Sequence, residues 1–155
     1  MANYTNATNV RTEAGLVNNA NLVDATHITP LIDEAHAELL GRVSARYSLT
    51  AFNSNFSGSQ AEDLLTRIET LLAAGYLLQR EYPQEQEEDG EGDSRIKRAL
   101  DLLEAILSGK LKLLDSNGSE FGLVGSGRSG RSIATTVPAT DDSERPSQFS
   151  IGQVF

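Results

Sequence analysis

The chain has no cysteine, which excludes a disulfide framework and a thiolate metal site alike. Oxidising and reducing compartments are therefore equally tolerable. Basic residues are also few: 13 Lys and Arg stand against 22 Asp and Glu, for a formal net charge of -9. Proteins that grip a phosphate backbone depend on clustered Lys and Arg to release counterions, so this balance excludes a general nucleic-acid binder. No window approaches the roughly 18 apolar residues of a membrane span. The N-terminal stretch "MANYTNATNVRTEAG" lacks a basic region followed by an apolar core, so synthesis and use in the cytoplasm are expected. Without a secretion signal, the glycosylation-like triplets at Asn3, Asn6, Asn55 and Asn117 read as a polar surface rich in Asn, Ser and Thr.

At 155 residues the chain is long enough for one domain with arms and short for two. The predicted fold is all-α: a small bundle of three long helices plus a short N-terminal one, with a small β-hairpin and an extended C-terminal arm. Residues 1–11 read as a mobile polar arm, and Thr12 as a cap for a short helical turn through "EAGLVNN". The bundle domain then spans 12–109. Its first long helix is expected to start at Thr29, with Pro30 at the first helical position. Ile32, Ala35, Leu39, Val43 and Tyr47 recur at helical spacing and form one apolar stripe. His36 lies within that stripe with no Ser or Cys partner in a recognisable motif, so it reads as a structural histidine rather than a base. His27, with no second ligand one turn on, does not suggest a metal site.

Phe52 and Phe56, in the turn-rich "SLTAFNSNFSGSQ", are expected to pack back on the helices. Ser59-x-x-Glu62 makes a capping box ahead of Leu64, Leu65, Ile68, Leu71, Leu72 and Leu78, predicting a second helix that stops near Tyr82-Pro83. Glu85, Glu87, Glu88, Asp89, Glu91 and Asp93 follow within an acidic stretch at 84–93. So dense a block reads as a solvated loop. A calcium loop is a poor fit, because Ile96 stands where a bidentate Glu is required. Asp93 or Ser94 is expected to cap a third helix carrying Ile96, Ala99, Leu100, Leu103, Ile106 and Leu107, with Gly109 as its stop. Beyond it, Asn117-Gly118 between two apolar runs signals a ribbon over 110–124, pairing Lys110 to Leu114 with Glu120 to Val124.

Gly125-x-Gly127-x-x-Gly130 has the spacing of a dinucleotide-binding loop, which works only between a strand and the N-terminus of a helix. "RSIATTVPATDD" follows instead, so the glycines read as a hinge. The hinge opens a polar arm, 125–155, that ends in the apolar Phe149, Ile151, Val154 and Phe155. A sticky terminal peptide on such a tether suits a sheet edge or groove on another chain. Arg128, Arg131 and Arg145 are candidates for meeting acidic surface alongside it.

The run of parts is "LIDEAHAELLGRVSARYS", then "AEDLLTRIETLLAAGYLLQREYP", an acidic gap, "DSRIKRALDLLEAILSGKLKLLD" and a tail "ERPSQFSIGQVF". It resembles the Mu-like bacteriophage neck proteins, within the broader group of head-to-tail connector or adaptor proteins. The likeness covers about residues 10–115, with a weaker echo in the tail. Ala35 and Glu38 ahead of Arg46-Tyr47, the apolar second helix, and Ala99 to Leu114 with "SGKLKLL" carry it.

The resemblance implies a virion protein without enzymatic activity or cofactor, in a ring of copies under the portal, twelve-fold in such adaptors. The C-terminal arm would dock on the portal protein or on neighbouring copies, a downstream neck or tail-completion protein would follow, and double-stranded DNA would pass through without specific binding. The acidic stretch would suit such a lumen, because negative walls do not trap DNA. The competing expectation is a soluble helical regulator or chaperone that binds one partner through its apolar tail.

Overall fold

A computed structural model describes residues 3–16, 25–52, 55–81 and 90–124. Four helices organise them: α1 (Ala7–Glu13), α2 (Ala25–Val43), α3 (Gln60–Glu81) and α4 (Glu91–Leu107). Among the described residues there is no continuous strand. The mostly helical class expected from the periodicity is what the chain adopts.

α3 is the centre of the bundle and packs against each of the other three helices. Its middle turn is therefore enclosed on all sides, and Leu71, Leu72, Ala73, Ala74 and Gly75 are buried in succession. Small residues there let α4 come close. A Cβ on Gly75 would lie 2.5 Å from the Ile96 side chain and 3.0 Å from the Gly92 carbonyl. The α2 stripe also holds, with Ile32, Ala35, Leu39, Val43 and Tyr47 all in the core.

The expected N-terminal arm is a docked element instead. Asn6, not Thr12, caps α1 by accepting the Asn9 amide, and Val10 inserts fully into the core. α2 begins at Ala25 rather than Thr29, which leaves Pro30 inside the helix and His27 on it. Pro30 offers no amide to the Thr26 carbonyl one turn back, and in the turn beside it the Thr29 hydroxyl donates to the Ala25 carbonyl at 2.7 Å. The α3 capping box forms in a shifted version: Ser59 Oγ accepts the Glu62 amide, and the Glu62 carboxylate takes the amide of Gly58.

At α4 the cap is Gly90 rather than Asp93 or Ser94, so Glu91 and Asp93 lie in the first helical turn and not in a loop. Acidic groups are favoured there by the helix dipole. The rest of the expected acidic loop, with Glu85, Glu87, Glu88 and Asp89, lies outside the described residues. The helix ends as expected at Gly109, whose φ of +79° suits glycine.

The expected ribbon over 110–124 is reduced to isolated bridges, Leu114 with Glu120 and Tyr47 with Leu123. The reason is local. Asp115 Oδ1 accepts the amides of both Asn117 and Ser119, closing a tight polar turn, and beyond the Phe121 amide on Leu113 O the chain leaves its hairpin partner for Arg46 and Ser48 past the end of α2. The hinge and arm at 125–155, including the glycine loop, lie outside the described residues.

Candidate functional site

Two polar constellations tie distant parts of the chain together. The first surrounds Tyr47, which α2 delivers to the core at its C-terminal end through a turn closed by the Val43 carbonyl. Its hydroxyl donates to Glu120 Oε1 at 3.0 Å and accepts the Leu113 amide at 3.3 Å. Neighbouring Arg46 donates from Nη1 to the Leu107 carbonyl at 3.1 Å, meeting the C-terminus of α4 where the helix dipole is negative. Its Nη2 lies 3.6 Å from Glu120, and its guanidinium sits 5.6 Å from the centre of the Tyr47 ring.

Glu120 gathers this cluster. Lys112 Nζ lies 3.0 Å from its Oε2. The hydrogen bond from Lys112 holds its carboxyl below the usual range; burial opposes it, and the bond from Tyr47 and the charges of Lys112 and Arg46 add to the lowering. Main-chain bonds complete the clasp: Ser48 N donates to Gly122 O at 2.8 Å and Val124 N to Arg46 O at 2.7 Å. Val124, 58% exposed, is the single large apolar side chain left open among the described residues, and the described residues end with it.

The motifs Arg46-Tyr47 and Ser108 to Leu114 are thus brought into contact, although more than sixty residues part Tyr47 from Leu113. Gly109 makes the contact possible, since a Cβ on it would lie 2.7 Å from Arg46 Nη2. Glu38, on α2, accepts from Arg42 at 2.9 Å and from the Tyr76 hydroxyl, joining α2 to α3. Burial, and then that bond to Glu38, push the Tyr76 phenol well above its ordinary pKa.

The second constellation surrounds Glu69, a carboxylate with no exposed surface. Its Oε1 accepts the amides of Tyr4 at 3.1 Å and Thr5 at 3.2 Å, and its Oε2 lies 2.9 Å from His36 Nδ1. The Thr70 hydroxyl donates to that of Thr5 at 2.7 Å. Residues 3–6 are therefore strapped across α2 and α3. Burial first, and the Glu69 and Glu62 charges after it, push the Tyr4 phenol up to about 12. His36 is packed, as expected for a structural residue, with its Nε2 buried and lacking a hydrogen-bond partner.

Glu69 was hidden by its apolar surroundings. The signal was there in its register: it falls one turn after Leu65 and one turn before Ala73, both on the buried face of α3. A carboxylate at such a position needs donors from elsewhere in the chain.

Of the acidic residues singled out from the sequence, Glu91 pairs with Arg95 at 3.1 Å and Asp93 accepts from Gln79 at 2.6 Å. Arg128, Arg131, Arg145, Phe149, Ile151, Val154 and Phe155 lie outside the described residues. Among the described residues no group of three His, Asp or Glu side chains is placed to hold a metal ion, and no helix is long and apolar enough to cross a membrane. What the two constellations do chemically is hold chain segments in register. Comparison with protein-family models, curated proteins and solved structures gives no match.

Proposed function

We propose that this protein is a structural head-to-tail adaptor of a tailed bacteriophage, a neck protomer that joins others in a ring beneath the portal and passes DNA without acting on it. The observation that carries the reading is the clasp. The residue pair and the segment on which the likeness to Mu-like neck proteins rests, Arg46-Tyr47 and Ser108 to Leu114, meet at Glu120 and fix the chain four residues later, at Val124. A protomer whose work is to present an arm needs such a fixed point, because a tether transmits position only from a rigid base.

The acidic balance of the chain fits a protein beside DNA that does not hold it. In this reading Phe149, Ile151, Val154 and Phe155 anchor the arm on the portal protein or on neighbouring copies, with Arg128, Arg131 and Arg145 meeting acidic surface. A downstream neck or tail-completion protein closes the assembly. The virion neck is then its place of action.

Stoichiometry tests the proposal. Mixed with purified portal protein, the full chain is expected to form a closed complex with many copies per portal ring, read by native mass spectrometry. A complex with one copy on one soluble partner and none on portal would favour a regulator and overturn the adaptor reading.

A further inference from the structure

The two constellations are joined by a run of aromatic rings. The Tyr4 ring lies 5.1 Å from His36 and 5.4 Å from Phe56, centre to centre. Phe56 stacks on Phe52 at 5.0 Å and 26°, and both approach Phe121, Phe52 edge-on at 4.9 Å and Phe56 at 6.0 Å. All of these separations fall in the range where rings attract one another. Phe121 follows Glu120 directly, is almost fully buried, and donates its amide to Leu113 O at 2.9 Å. Phe52 and Phe56 belong to the segment between α2 and α3, outside both helices, where the rings on either side of them add to the few main-chain bonds that hold the segment.

We infer that the N-terminal strap and the base of the C-terminal arm form one coupled unit, in which Tyr4, seated between His36 and Phe56, positions Phe121 and so orders the chain up to Val124. The strap's backbone is held separately, through the Tyr4 and Thr5 amides on Glu69, so the ring's contribution can be removed while those bonds stay. Coupling of this kind is reciprocal. Whatever steadies the chain at Phe121 to Val124 also steadies the strap, and loosening the strap loosens the chain at Val124. The inference concerns this chain alone and stands whether or not the arm's partner is a portal.

The test is amide hydrogen exchange, followed residue by residue on the full chain. In Tyr4→Ala the amides of Phe121 and Val124 should exchange about tenfold faster than in the parent, beyond any change at the Leu103 amide inside α4. Tyr4→Phe keeps the ring and should leave both amides near parent rates. Leu100→Ala, on α4 and outside the ring run, should not single out Phe121 and Val124. If Tyr4→Ala loses its helical circular dichroism, Tyr4→Leu carries the same comparison. Uniform acceleration across Leu103, Phe121 and Val124 in the ring-deleted variant, or equal loss of protection in Tyr4→Phe, would overturn the coupling.

Discussion

The hydroxyl of Tyr47, at the end of α2, bonds to the carboxylate of Glu120 while accepting the amide of Leu113. One phenol thereby fixes both limbs of the turn between Leu113 and Glu120. Removing the oxygen in Tyr47→Phe strands the buried Leu113 amide and takes one donor from Glu120. The expected cost is about 1–3 kcal/mol of unfolding free energy, read by denaturant titration. A change under about 0.5 kcal/mol, the scatter of neutral surface substitutions, would contradict the clasp.

Two glycines separate backbone strain from crowding. Gly109 and Gly118 have nearly equal positive φ, +79° and +80°, but a Cβ would meet Arg46 only at Gly109. Left-handed backbone costs an L-residue roughly 1–2 kcal/mol, and both Gly→Ala variants should show that loss. Gly109→Ala should lose more in thermal unfolding, because Arg46 must leave the α4 C-terminus. Equal losses would mean that the guanidinium moves away freely.

Glu69 is the residue on which the strap depends. Glu69→Ala leaves the Tyr4 and Thr5 amides without their acceptor and His36 Nδ1 without its partner, and each buried group stranded in this way costs roughly 1–3 kcal/mol. Limited proteolysis should then cut within residues 3–6 at a protease concentration that spares the parent. An unchanged cleavage pattern would show that the strap is held by something other than this carboxylate.

The outline of the bundle was legible where pattern and physics agree. The α2 stripe, the Ser59 cap and the Gly109 stop each follow from a local rule that the packing respects. α1 starts ahead of the expected turn because "ATNVRTE" offers one fully buried apolar anchor, Val10, too little for periodicity to register. Pro30 reads as a helix start by its preference for the first turn, yet packing of Ile28 into the core draws the helix back to Ala25. Glu69 and the Tyr47 clasp are not legible in the sequence for a different reason. Their partners lie from 33 to more than sixty residues away in the chain, and no local rule reaches that far.

Opposite limbs of the pH profile report on the two constellations. The folded pKa of Glu120 is lowered, so its stabilisation is present above the ordinary carboxylate range and lost as pH falls through its folded value. Glu120→Gln should flatten that acid limb. The Tyr4 phenol is raised from 10.0 to about 12, so its contribution is present below pH 10.0 and lost as pH rises towards about 12. Tyr4→Phe should lessen the alkaline loss of stability over that interval. Unfolding midpoints measured across pH check both signs, and a variant profile parallel to the parent's would contradict the assignment for its residue.

The adaptor reading is tested most directly by electron microscopy of tailless, DNA-filled heads incubated with the full chain or with a chain ending at Val124. The account predicts a ring of density at the portal vertex with the full chain and none when residues 125–155 are removed. An empty vertex with both chains would contradict it.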